Sequence, residues 1–178
     1  MKKISIFLLL FTMNACAEQP AKSAIKSDAE CEFSFENLHA CSYKDEQHNL
    51  QVAIQTEDIA DDEKLLTALV VTSGTVKKTL SITPETSILD GDIGFISFAD
   101  INFDSIPDLA ITTSFGTPNL YFDYWIYNVP KSEYIAVGNH PQFVLNSQTK
   151  TLTTTIKNNA ANYESQEWHW VNNELKKR

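Results

Sequence analysis

Beyond Phe11 this 178-residue chain has no apolar run approaching the roughly 20 residues that a membrane-spanning helix needs, so no later segment reads as transmembrane. No segment carries a convincing helical stripe, and no strict internal repeat is visible. The patterns G-x-S-x-G and H-E-x-x-H and a phosphate-cradling glycine loop are absent, which removes the usual signatures of serine hydrolases, zinc proteases and nucleotide enzymes. The histidines His39, His48, His140 and His169 sit in different segments, and with Cys31 and Cys41 they make no zinc spacing. A glycosidase needs only two carboxylates, so that activity stays as a rival with no motif behind it. Basic residues are few, 14 against 23 acidic, for a formal charge of −9. Such a surface repels nucleic acid and anionic lipid and attracts a cationic partner; solubility alone is the plainer explanation.

What is present begins at the N-terminus. Lys2 and Lys3 precede an apolar run from Ile4 to Phe11, and small residues follow at Ala15, Cys16 and Ala17, the order of a secretory signal peptide. Met13-Asn14-Ala15-Cys16 resembles the lipobox of bacterial lipoproteins, with Met13 in place of a more usual first residue. The rival is cleavage after Ala15-Cys16-Ala17, which would release a soluble periplasmic protein. On the preferred reading, residues 1–15 are the signal peptide and Cys16 is lipidated. Residues 16–30 then form a polar tether, and residues 31–178 form one β-rich domain. Ala17 after the cysteine, rather than Asp, implies outer-membrane sorting by resemblance to other lipoproteins. Cys31 and Cys41 then remain as a pair. In an oxidising compartment they read as a disulfide worth about 2–3 kcal/mol, and otherwise as two buried thiols.

The dominant signal in the domain is short β runs between turn residues, which predicts an all-β class with antiparallel sheets. The runs are residues 50–56, 66–72, 79–83, 95–99, 109–113, 120–129, 134–137, 143–145, 151–157, 163–171 and 174–176. The sequence DDEKLLT, residues 61–67, is the best candidate for a turn of helix, and the acids from Glu57 to Glu63 read as a solvated loop. In the aromatic run from Tyr121 to Tyr127, alternation puts Phe122, Tyr124 and Ile126 on one core face and Trp125 on the other. Either the rings there and at Trp168 and Trp170 are core, or one face stacks on a sugar or a partner. His169, between the two tryptophans, faces away from both.

The stretch with chemistry in it runs from Asp100 to Asp108. Asp100, Asn102, Asp104 and Asp108 place side-chain oxygens at loop positions one, three, five and nine, and the Ile106 carbonyl stands at position seven. Calcium takes six to eight hard oxygen ligands, and clustered carboxylates repel one another without a cation. Position twelve is Ile111 rather than Glu, and both flanks read as strands, so the loop is not an EF-hand. Ser105 stands where such loops carry Gly and would be strained if the backbone needs positive φ. The alternative is a hairpin connection whose Asp and Asn side chains bond the backbone.

Ala99-Asp100-Ile101-Asn102-Phe103-Asp104 and Pro107-Asp108-Leu109 resemble the D-x-N-x-D-G-x-x-D-L loop of FG-GAP and integrin-type propeller proteins. The aromatic strand, the turn at Asn146–Lys150 and a closing strand from Tyr163 to Trp170 are similar in order to a family of envelope immunity lipoproteins with an incomplete β-propeller. Members of that family inhibit lysozyme-like, peptidoglycan-cleaving effectors of type IV secretion systems and resemble calcium-binding periplasmic lysozyme inhibitors. The resemblance spans residue 50 to the end, by pattern. It implies a calcium-loaded inhibitor, monomer or weak dimer, of a cationic hydrolase, and it carries over only Asp100, Asn102, Asp104 and Asp108 as ligands. The competing expectations are a structural or adhesive envelope module and an enzyme.

Overall fold

The computed structural model describes residues 29–178; Cys16, the leader and nearly all of the expected tether lie outside the described residues. Fourteen strands and one 3-10 turn, Val129–Lys131, make up the regular structure of this part. All strand pairings are antiparallel.

Sheet I has the order β1-β7-β8-β9-β10, formed by β1 (Ala29–Ser34), β7 (Ile93–Ala99), β8 (Asp108–Thr112), β9 (Tyr121–Asn128) and β10 (Glu133–Pro141). Sheet II has the order β2-β3-β4-β5, from β2 (Cys41–Lys44), β3 (Asn49–Ala60), β4 (Glu63–Ser73) and β5 (Val76–Ser81), with β6 (Ser87–Leu89) paired beside β4. Sheet III joins β11 (Val144–Asn146), β12 (Thr151–Lys157), β13 (Tyr163–Val171) and β14 (Glu174–Lys177) in chain order. The sheets are open and have four or five strands each.

Sheet I stands between the other two, because its strands send alternate side chains into two separate cores. Ile96, Phe98, Leu109, Ile111 and Trp125 join Val52, Leu66, Leu69 and Ile88 of sheet II in the first core. Ala110, Phe122, Tyr124 and Ile126 join Phe143, Leu152 and, partly buried, Trp168 and Trp170 in the second. All five residues of β8 are buried, as are Phe122 to Ile126. Trp125 does point opposite to its neighbours, and both faces of the aromatic strand are core. Gly94 of β7 lies opposite Phe33, and an added Cβ would collide with the Phe33 ring.

Cys31 and Cys41 are disulfide-bonded, with Cα atoms 5.8 Å apart, and so join β1 of sheet I to β2 of sheet II across the first core. Sheet III is tied to sheet I by the Asn119 amide. It donates to the Lys157 carbonyl at 3.1 Å and accepts from the Lys157 N–H at 2.7 Å, as an extra rung would.

Three expectations need correction. Residues 61–67 contain no helical turn: Asp61 and Asp62 form the tight turn of the β3–β4 hairpin, and strand pairing resumes at Glu63. β6 pairs with the same stretch from the other side, Leu89 opposite Glu63, so sheet hydrogen bonds override its helix propensity. The acids Glu57 and Asp58 accordingly lie in a strand rather than a loop. β1 (Ala29–Ser34) begins within the expected tether and pairs with β7 along its whole length.

Candidate cation loop

Residues 100–107 connect β7 to β8, and the side chains of the loop hold its own backbone in shape. The Asp100 carboxylate accepts from the N–H groups of Asp104 and Ser105, each at 2.8 Å. Asn102 Oδ1 accepts from the Asp104 N–H at 3.1 Å, and Asp104 Oδ1 accepts from the Ile106 N–H at 2.9 Å. These are Asx turns, the use of short polar side chains to satisfy loop donors. The Asn102 amide also donates to Asp104 Oδ2 at 2.8 Å, which links these two side chains.

This winding drives Phe103 and Ser105 into the left-handed region, at φ 61° and 71°. Ser105 therefore carries the conformation for which such loops use glycine, at a cost of roughly 1–2 kcal/mol. The loop is anchored on both sides. Ile101 is buried in the second core, and the Trp170 indole N–H donates to the Ile101 carbonyl at 2.7 Å. Trp168 packs edge-on against His140 and Phe143, so both tryptophans are structural rather than displayed. His169 lies on the other face of the strand and is half-buried; its Nδ1 has no partner.

Asp108 is the buried member of the expected ligand set. Its carboxyl is 1% exposed and turned inward. One oxygen accepts from the N–H groups of Ile101 at 2.9 Å and Asn102 at 3.3 Å, and the other from Tyr127 N–H at 2.9 Å. It brackets the loop onto β9. Burial pushes it up to about 8; the Asp104 charge adds to the rise, and its three N–H donors oppose it. Asp100 is likewise raised, first by burial and, among its other causes, by the charge of Asp104. Ile106 gives its N–H to Asp104.

Asp100, Asn102 and Asp104 thus present hard oxygens and mutual repulsion that a cation would relieve, which fits calcium chemistry. The oxygens of Asp108, like those of Asp100, already accept from backbone donors, and Asp108 is in addition buried. Among the described residues no group of three or more His, Cys, Asp or Glu side chains converges as a metal cluster. The Asp and Asn spacing was readable; the inward turn of Asp108 was not, because it depends on Tyr127 from another strand.

A second polar feature was read only as a charge run. Glu57, Asp58, Asp61 and Asp62 are exposed at the free end of the β3–β4 hairpin and form no ion pair among the described residues. Asp90 follows β6, its N–H donating to the Asp62 carbonyl at 3.0 Å, and adds another exposed acid. Lys64, the nearest cation in sequence, is turned away to the Phe35 carbonyl and ring. No family model, curated protein or solved structure matches the chain.

Proposed function

We propose that this is an exported, envelope-tethered, calcium-binding protein that inhibits a lysozyme-like peptidoglycan hydrolase by direct contact. The observation that carries the reading is the acidic end of the β3–β4 hairpin, where exposed carboxylates stand without cationic partners among the described residues. A cationic enzyme would be steered to such a surface, in a salt-dependent way. A lipid on Cys16 would hold the protein at the outer membrane, where such an enzyme acts.

The test is lysis of purified peptidoglycan by a panel of cationic lysozyme-like enzymes, with and without the soluble domain. With the cognate enzyme, equimolar protein should slow lysis at least about tenfold at low ionic strength. The double variant Asp61→Lys, Asp62→Lys should lose most of that effect, since charge placed across an interface controls encounter and register. Unchanged lysis throughout the panel, with no complex on size exclusion, would sink the inhibitor reading.

Calcium is the cation proposed for the loop. Asp100, Asn102 and Asp104 would hold it, with Ile106 supplying its carbonyl and water completing the shell. The ion would supply charge neutralisation and nothing catalytic. Extracellular calcium modules often bind at roughly 10⁻⁴–10⁻³ M, so the site should respond to millimolar calcium. At ten times the Kd, the melting temperature should rise by about 3–5 °C over that in EDTA. The rise should vanish in Asp104→Ala. An identical melt in calcium and EDTA would make the loop a plain turn.

A further inference from the structure

The inner face of sheet II does not stop at the core. Leu50 lies opposite Ser73, which lies opposite Val76; Val71 lies opposite Lys78. Alternation therefore puts Leu50, Val71, Val76 and Lys78 on one face. Leu50 and Val71 are buried, whereas Val76, on the edge strand β5, is 55% exposed. The apolar face thus runs out uncovered at this corner. Opposite it stand Ile106 and Pro107 of the cation loop and the edge-on ring pair Tyr127 and Tyr134. Between them is a cleft of about 290 Å³, near the small end of ligand pockets, which run from roughly 300 to 1,000 Å³.

The electrostatics of this cleft run against those of the whole molecule. The chain carries −9, yet no acidic residue lines the cleft. Lys78 lines it and makes no ion pair among the described residues. His48 completes the rim with its Nδ1 already held by Asp45, at 3.0 and 2.9 Å from the two carboxylate oxygens. Asp108 sits behind the Tyr127 backbone and takes its N–H. An apolar floor, two aromatic walls and one free ammonium at the mouth define a specific complement.

We propose that this cleft binds a small free amphipathic carboxylate: an aliphatic or aryl body lies along Val76 and the two tyrosines, and its carboxylate pairs with Lys78. A charge-assisted hydrogen bond at the mouth fixes orientation, and the buried body supplies the affinity. The assignment is independent of the hydrolase and calcium readings.

Octanoate, octanol and octylamine are suitable probes, each titrated into the protein in EDTA and followed by calorimetry and thermal melting. Octanoate should bind, raising the melting temperature by about 3–5 °C at ten times its Kd. Lys78→Glu should weaken it at least about tenfold. Lys77→Glu makes the same charge change, but Lys77 pairs with Thr72 and faces the other side of the sheet, so it should leave the affinity within about twofold. Both lysines are exposed on an edge strand, so neither variant threatens the fold. Three results would overturn the proposal: no octanoate binding at millimolar concentration, equal loss in the two variants, or tighter binding of octylamine than of octanoate.

Discussion

Asp108→Ala should lower stability by roughly 3–4 kcal/mol, because three backbone N–H groups lose their acceptor and each buried unsatisfied donor costs about 1–3 kcal/mol. Those donors belong to Ile101 and Asn102 in the loop and to Tyr127 in β9, so both the loop and its anchor on sheet I are released together. For a domain of this size the melting temperature should fall by roughly 10 °C. The measurement is urea unfolding in EDTA, which isolates the bracket from any ion. Asp104→Ala is the comparison: its exposed carboxylate serves only the Ile106 N–H and the Asn102 amide, and its loss should cost about 1 kcal/mol or less. If the two variants are equally mild without metal, the bracket reading fails.

The same carboxyl gives a pH signature. Burial raises it to about 8 from the ordinary aspartate value of 3.8, so the native state holds a proton that the unfolded chain releases. Stability from this group is full below the unfolded value and falls as pH rises through 8. Between about pH 7 and 8 the loss should be on the order of 1 kcal/mol in EDTA. Burial shifts His140 downward, so its own contribution has the opposite sign, rising with pH. Asp108→Asn should flatten the dependence, and an unchanged slope in that variant would assign it elsewhere.

Asp123→Ala should be nearly as damaging, at about 3 kcal/mol. This residue is the single acid in the aromatic strand β9 and is 5% exposed. It accepts from the Thr83 N–H at 2.6 Å, the Thr83 hydroxyl at 2.7 Å and the Asn139 amide at 2.9 Å. Thr83 follows β5 and Asn139 lies in β10, so one carboxyl joins the connection leaving sheet II to two strands of sheet I. Asn139→Ala removes one donor of the three and should cost about 1 kcal/mol. A full-length unfolding curve for each variant checks the ratio. A loss under 1 kcal/mol for Asp123→Ala would mean that water replaces the clamp.

Asp123 also marks where sequence reasoning stops. Its oddity was visible as a charge inside an apolar run, yet its partners lie 40 and 16 residues away, and period-two patterning carries no such distances. The alternating runs that became β3 and β12 were legible because each buries alternate side chains over part of its length, and β9 was legible because aromatic residues crowd it. β1 was not, since Glu30 and Glu32 on its outer face give it the composition of a tether, while Cys31 and Phe33 turn inward. β2 and β6 have four and three residues, too few for a period to register. In the cation loop, the spacing of Asp100, Asn102 and Asp104 and the strained position of Ser105 could be read directly. The role of Asp108 could not, because a carboxylate one residue inside a strand is claimed by whichever neighbour brings donors.

The wall formed by β8 and β9 has a consequence for how the molecule comes apart. Each flanking layer alone would be a small β unit of marginal stability, but neither can peel away without exposing a wall that the other still needs covered. Local opening should therefore be confined to the outer strands and turns, while β8 and β9 release their amide protons to solvent only when the entire chain unravels.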